Sequence, residues 1–210
     1  MKFNKTILSV SLLSLFANAN VTDDVKNLQA DWAIANYQTQ ESNKESAFQN
    51  LIAKSKNLSE NNPNSAEILT WEGIILSTYA GVAPGLSGLD YVKQAKEKLE
   101  KAREISPDTL NGSVYTSLGS LFYQVPGWPL SFGDDDKAKE YLLKALEINP
   151  NGIDPNYFYG DYLLNDGNYK EAINYFKKAL NAPSRPGRKL ADKGRKSEIK
   201  QKLKIANEKI

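Results

Sequence analysis

The chain contains neither cysteine nor histidine. Without cysteine there is no disulfide, no thiolate nucleophile and no thiol to carry a lipid. Without histidine the commonest general base is missing, and with both absent so are the soft metal ligands. No glycine-rich phosphate loop and no serine in a strand-to-helix elbow is present. Long apolar runs are short too. Ile7 to Phe16 is mostly apolar but spans ten residues, far below the roughly 20 that a membrane-crossing helix needs. These absences lead to the expectation of a non-catalytic chain with no cofactor, no metal and no integral membrane segment once mature.

The ten-residue run has a different reading. Lys2 and Lys5 precede it, and Ala17-Asn18-Ala19 follows as a small-x-small cleavage site. This is the pattern of a secretory signal peptide over residues 1–19, cut before Asn20. The mature chain is then expected to be exported and periplasmic, where nucleic acid is not a natural partner. Removing Lys2 and Lys5 takes the formal charge from +2 to zero. That zero conceals an asymmetry, because residues 185–210 carry ten Lys or Arg against Asp192, Glu198 and Glu208. The expectation for this stretch is a solvated face on a terminal helix, with a dedicated anion or membrane-surface site as the alternative.

Helical periodicity covers most of what remains. Val21, Val25, Leu28, Trp32 and Ala35 share one helix face, with Thr22 as its N-cap. Phe48, Leu51, Ile52 and Leu58 form a second face, ended by Pro63. From there a phrase recurs. Leu69-Thr70-Trp71-Glu72-Gly73, Tyr115-Thr116-Ser117-Leu118-Gly119 and Asn156-Tyr157-Phe158-Tyr159-Gly160 each follow a proline (Pro63, Pro107, Pro150). Each precedes a second helix carrying Ala95, Leu99 and Ala102; Ala138, Leu142 and Ala145; or Ala172, Phe176 and Ala179. A glycine on one helix facing alanines on the next lets two backbones approach closely.

That spacing resembles a tetratricopeptide repeat (TPR), a helix–turn–helix unit of 34 residues that must stack on its neighbours to bury its apolar face. The resemblance covers Pro63 to Ser184. The expected fold is an all-α, TPR-like helical solenoid of about three repeats over residues 63–184. A degenerate hairpin over 20–62 precedes it, and a basic capping helix over 185–210 follows. The glycine-to-alanine step is 12 in the last repeat but 22 in the first and 19 in the second. The first two repeats therefore carry inserts, around residues 79–90 and 123–134, rich in glycine and proline and read as loops. Asp134-Asp135-Asp136 reads as an N-cap with acidic first-turn residues, and lacks the alternation of a calcium loop.

The resemblance implies recognition on a concave face lined by each repeat's first helix. Matching positions are Trp71, Ile74 and Ser77; Thr116, Ser120 and Tyr123; and Tyr157, Asp161 and Leu164. The set holds no Lys or Arg, unlike the basic clamp with which some TPR domains hold a peptide carboxylate. Trp128 and Phe132 in the second insert join it as the lip of a groove or, alternatively, as a seal over the helix ends. With Leu130 they are expected to cover something, since exposing them forfeits burial. Two functions stay open: a scaffold for a protein or peptide partner, and a small-ligand component of a transport system. The second rests on a further similarity, to the TatT-type TPR components associated with TRAP transporters. A scaffold predicts an open groove. A ligand carrier predicts an enclosed cavity of about 300 Å³ or more.

Overall fold

The computed structural model describes the backbone of residues 7–210 and the side chains of residues 21–210. Residues 1–19, expected above to be a signal peptide, lie outside the described side chains. Among the described residues there are nine α-helices and no strand. They are α1 (Ile7–Tyr37), α2 (Glu41–Asn61), α3 (Ala66–Ala80), α4 (Gly88–Ile105), α5 (Thr109–Gln124), α6 (Asp135–Ile148), α7 (Ile153–Asn165), α8 (Tyr169–Asn181) and α9 (Lys189–Asn207). The fold is a TPR-like helical solenoid. Thr22 is not an N-cap, because α1 runs through it from Ile7.

The repeat register is visible atom by atom. A Cβ built on Gly73 would lie 2.6 Å from Leu99 Cγ, and one on Gly119 would lie 2.6 Å from Leu142 Cγ. One on Gly160 would lie 2.9 Å from the Phe176 ring. Leu99, Leu142 and Phe176 hold equivalent places on α4, α6 and α8, and all three are fully buried. The alanines one turn to either side are equally buried, so each helix pair closes on a glycine, a large side chain and two small ones. Ser65 caps α3 by accepting from Ile68 N at 3.3 Å. Asp134 caps α6 by accepting from Lys137 N at 3.0 Å. Among the described residues no three carboxylates converge as a metal site.

The first helices α1, α3, α5 and α7 pack in succession, with α2, α4, α6 and α8 behind them. The C-terminal helix does more than cover the last repeat. It packs on α7 and α8, but also on α1. Leu190 and Ala191 join the apolar cluster of α1, α2 and α3, while Ile199 and Ala206 join that of the last repeat. The inner helices therefore form a closed ring: α1, α3, α5, α7, α9 and back to α1. Gly194 marks the closure. It sits inside α9, and a Cβ there would fall 2.5 Å from the Tyr37 ring carbons. Sequence periodicity sees one apolar stripe on α9. It does not show that the two ends of the stripe serve opposite ends of the solenoid.

The inserts are loops, with one short 3₁₀ turn at Gly85–Ser87. The second is tied at its base, where Gly133 N donates to Pro126 O at 3.0 Å and Asp134 N to Phe122 O at 2.9 Å. Phe132, next to this tie, packs edge-on against Phe122 with ring centroids 5.5 Å apart. Trp128 and Leu130 do not cover anything; they are 90% and 67% exposed. The backbone tie holds them at a tip beyond reach of the helix ends.

Candidate functional site

Inside the ring lies a cavity of about 460 Å³ that stays partly open to solvent. Its wall is drawn from α1 (Gln29, Trp32), α3 (Trp71, Ile74, Ser77, Thr78), α5 (Leu110 to Ser120), α7 (Ile153 to Phe158) and the segment leading into α9 (Pro183 to Arg188). A larger depression of about 670 Å³ lies beside Val21 and Asn62, and its lysine, Lys26, is already 2.9 Å from Asp23.

Three arginines reach the cavity, and none comes from a repeat. Arg195 on α9 donates from Nε to Asp154 Oδ1 at 2.9 Å and from a terminal nitrogen to Glu198. Its guanidinium lies over the rings of Tyr157 and Phe158, 4.5 Å and 4.7 Å from their centroids. Arg185 donates from Nε to Asp192 Oδ1 at 2.7 Å and from a terminal nitrogen to Asp154. Its backbone N donates to Asp192 Oδ2 at 2.8 Å. Asp154 thus stands in the first turn of α7 between two guanidinium groups. Burial opposes its ionisation, but Arg185, Arg195 and Arg188 outweigh that and hold the carboxyl well below the usual range.

Arg188 differs from the other two. It makes no ion pair and no side-chain hydrogen bond with any described residue, and its Nε is buried without a partner. It lies 5.0 Å from the centroid of the Trp71 ring, a cation–π contact that fixes the guanidinium but satisfies none of its donors. Burial, and then repulsion from Arg185, push its pKa down to about 10. It remains a cation at neutral pH. The opposite wall holds a strained backbone. Leu110, Asn111 and Gly112 all adopt left-handed conformation, with φ of 49°, 55° and 74°, at a cost of roughly 1–2 kcal/mol for each non-glycine residue. Strain of this kind gathers at functional walls. The Asn111-Gly112 dipeptide was its sequence signal.

Of the side chains singled out from sequence, Trp71, Ser77, Thr116 and Ser120 line the cavity together with Ile74. Trp71 is both wall and core, 3% exposed and edge-on to Trp32. Tyr157 is buried behind Arg195, and its neighbour Phe158 reaches the cavity instead. Tyr123 and Asp161 form a separate clasp. The Tyr123 hydroxyl donates to Asp161 Oδ2 at 2.8 Å, and Lys202 Nζ from α9 lies 2.7 Å from Asp161 Oδ1. Trp128 and Phe132 are at the second insert, away from the cavity wall. The basic tail offered an anion site only as an alternative, and these arginines were not singled out because they follow the repeats in sequence. A face without Lys or Arg on its helices receives its cations from the segment that folds across it.

Residues 130–151 and 153–184 match the family model of the tetratricopeptide repeat. No curated protein matches the chain. Among solved structures, TTC0263, a thermophilic TPR protein in Thermus thermophilus, is similar at 18% identity, covering 74% of each chain with a TM-score of 0.56. A crystal structure of MamA is 23% identical over 82% of this chain and 95% of its own, with a TM-score of 0.46. The first likeness concerns the fold alone, and the second is too distant in shape to carry an argument.

Proposed function

We propose that this is an exported, non-catalytic interaction protein that works in the periplasm after losing residues 1–19. Tetratricopeptide repeats bind protein partners, and here part of the concave face is occupied by the chain's own segment leading into α9. Recognition of a macromolecule then falls to the inserts. The observation that carries this reading is the exposure of Trp128, Leu130 and Leu86 (90%, 67% and 83%) at two loop tips. Apolar side chains held out in solvent by a tied backbone are contact surfaces rather than packing. The test compares proteins captured from periplasmic extract by the wild type and by Trp128→Ser. Selective loss of one captured protein from the variant supports the reading. Identical capture by both proteins overturns it.

A second reading is an accessory that holds a small ligand, as in a TRAP-type transport system. The volume of the cavity favours it, since about 460 Å³ lies within the range of small-molecule sites. Equilibrium dialysis of the protein against a periplasmic small-molecule extract would test it; no enriched compound would count against it.

A further inference from the structure

We propose that the ring cavity binds a small ligand with one carboxylate and an apolar body, and that Arg188 receives the carboxylate. This rests on the second, ligand-holding reading and adds its chemical class. A guanidinium carries five donors in a planar fork matched to two carboxylate oxygens. Arg185 and Arg195 have already spent theirs on Asp154, Asp192 and Glu198. Arg188 has not, and Trp71 holds its plane in place against the cavity wall. Leaving a partly buried cation without a partner is costly, and a bound anion removes that cost.

The count of unused donors sets the ligand's charge. Asp154, Asp192 and Glu198 are all engaged by Arg185 and Arg195, which leaves one guanidinium, that of Arg188, with an unused donor fork. A single negative charge on Arg188 is matched. A phosphate dianion would bring a second charge toward Asp154 with no cation left to meet it. The wall beyond Arg188 sets the body. Trp71, Ile74 and Phe158 are apolar, while Ser117 and Ser120 on α5 carry hydroxyls that make no hydrogen bond to a described residue. The ligand is therefore an apolar acid with room for one polar substituent opposite α5. The segment from Pro183 to Arg188 occupies part of the concave face, which favours a compact free acid over the carboxyl end of a longer peptide.

The experiment is a calorimetric titration of the purified protein. The probes are mono-carboxylates with aliphatic or phenyl bodies, each beside its primary amide. Inorganic phosphate and a short peptide with a free or amidated C-terminus form separate arms. Acids are expected to bind, and their amides at least about tenfold more weakly. Arg188→Gln should reduce acid binding to the level of the amide, with its circular dichroism and melting midpoint close to wild type. Arg188→Lys, which keeps the charge but loses the fork, should fall between. Equal binding of acid and amide, unaffected by Arg188→Gln, would overturn the carboxylate assignment and leave the ligand-holding reading standing. No binding of any probe would remove both. Phosphate binding more tightly than the acids would overturn the single charge. Binding confined to the free-ended peptide would overturn the free acid as ligand.

Discussion

At the scale of single residues, small side chains and one carboxylate decide most. Gly119 has no space for a Cβ, because the carbon would fall 2.6 Å from Leu142 Cγ and 3.1 Å from the Leu142 backbone nitrogen. The backbone atom cannot step aside as a side chain does. Gly119→Ala is therefore expected to destabilise by about 1–3 kcal/mol, although alanine is the better helix former by about 1 kcal/mol. Ala172→Leu should cost a similar 1–3 kcal/mol, since Ala172 is fully buried. Chemical denaturation checks both, and an unchanged midpoint would mean the helix pair can yield. Asp154 acts through charge. Asp154→Asn leaves Arg185 and Arg195 short of a partner and should cost about 1–3 kcal/mol, less than a fully buried pair because the site retains some solvent. Its folded pKa lies below its unfolded value. Its stabilisation is therefore fully present above about pH 4 and is lost as pH falls below that. The gap in melting midpoint between wild type and Asp154→Asn should be constant from neutral pH down to about pH 5 and shrink in stronger acid.

At the scale of elements, α9 and the second insert behave oppositely. The α1–α9 seam depends on Gly194 lying against Tyr37, whose ring is itself held edge-on to Trp32 at 5.6 Å. The ring cannot swing away without disturbing that contact. Gly194→Ala should loosen the seam and raise amide exchange in α9 ahead of α3 to α8. Unchanged exchange would show that the ring tolerates a wider gap. The insert loop should be insensitive by comparison. Trp128→Ser removes a side chain that is 90% exposed, so the melting midpoint should move by no more than about 0.5 kcal/mol equivalent. A loss of about 3 kcal/mol or more would place Trp128 against the core after all.

At the scale of the whole molecule, a solenoid normally has two free ends, and its stability is a sum of local repeat contacts. Here the ends meet. Lys202 on α9 reaches Asp161 on α7, and Leu190 and Ala191 reach the α1–α3 cluster. Truncation after Ser184 should therefore do more than remove one helix. It opens the ring, removes Arg188 from the face of Trp71 and wets the cavity. A red shift in tryptophan emission together with a lower, broader melting transition is expected. An unchanged emission maximum would show that Trp71 stays covered without the tail.

The recurrence of Gly73, Gly119 and Gly160 before Leu99, Leu142 and Phe176 determined the repeat fold from sequence alone, because close helix approach leaves a periodic demand for small residues. The same periodicity located the inserts, which break its spacing. Four wall residues of the cavity, Trp71, Ser77, Thr116 and Ser120, were legible because repeat register says which helix face turns inward. Whether that face stays open was not legible. It depends on where α9 lands, and that is settled by contacts between residues far apart in the chain, Tyr37 with Gly194 and Asp154 with Arg195. Nor did composition show that Arg185, Arg188 and Arg195 turn inward while their neighbouring lysines face water. A guanidinium that finds carboxylates and aromatic faces at once can leave solvent, and only the closed ring brings those groups within its reach.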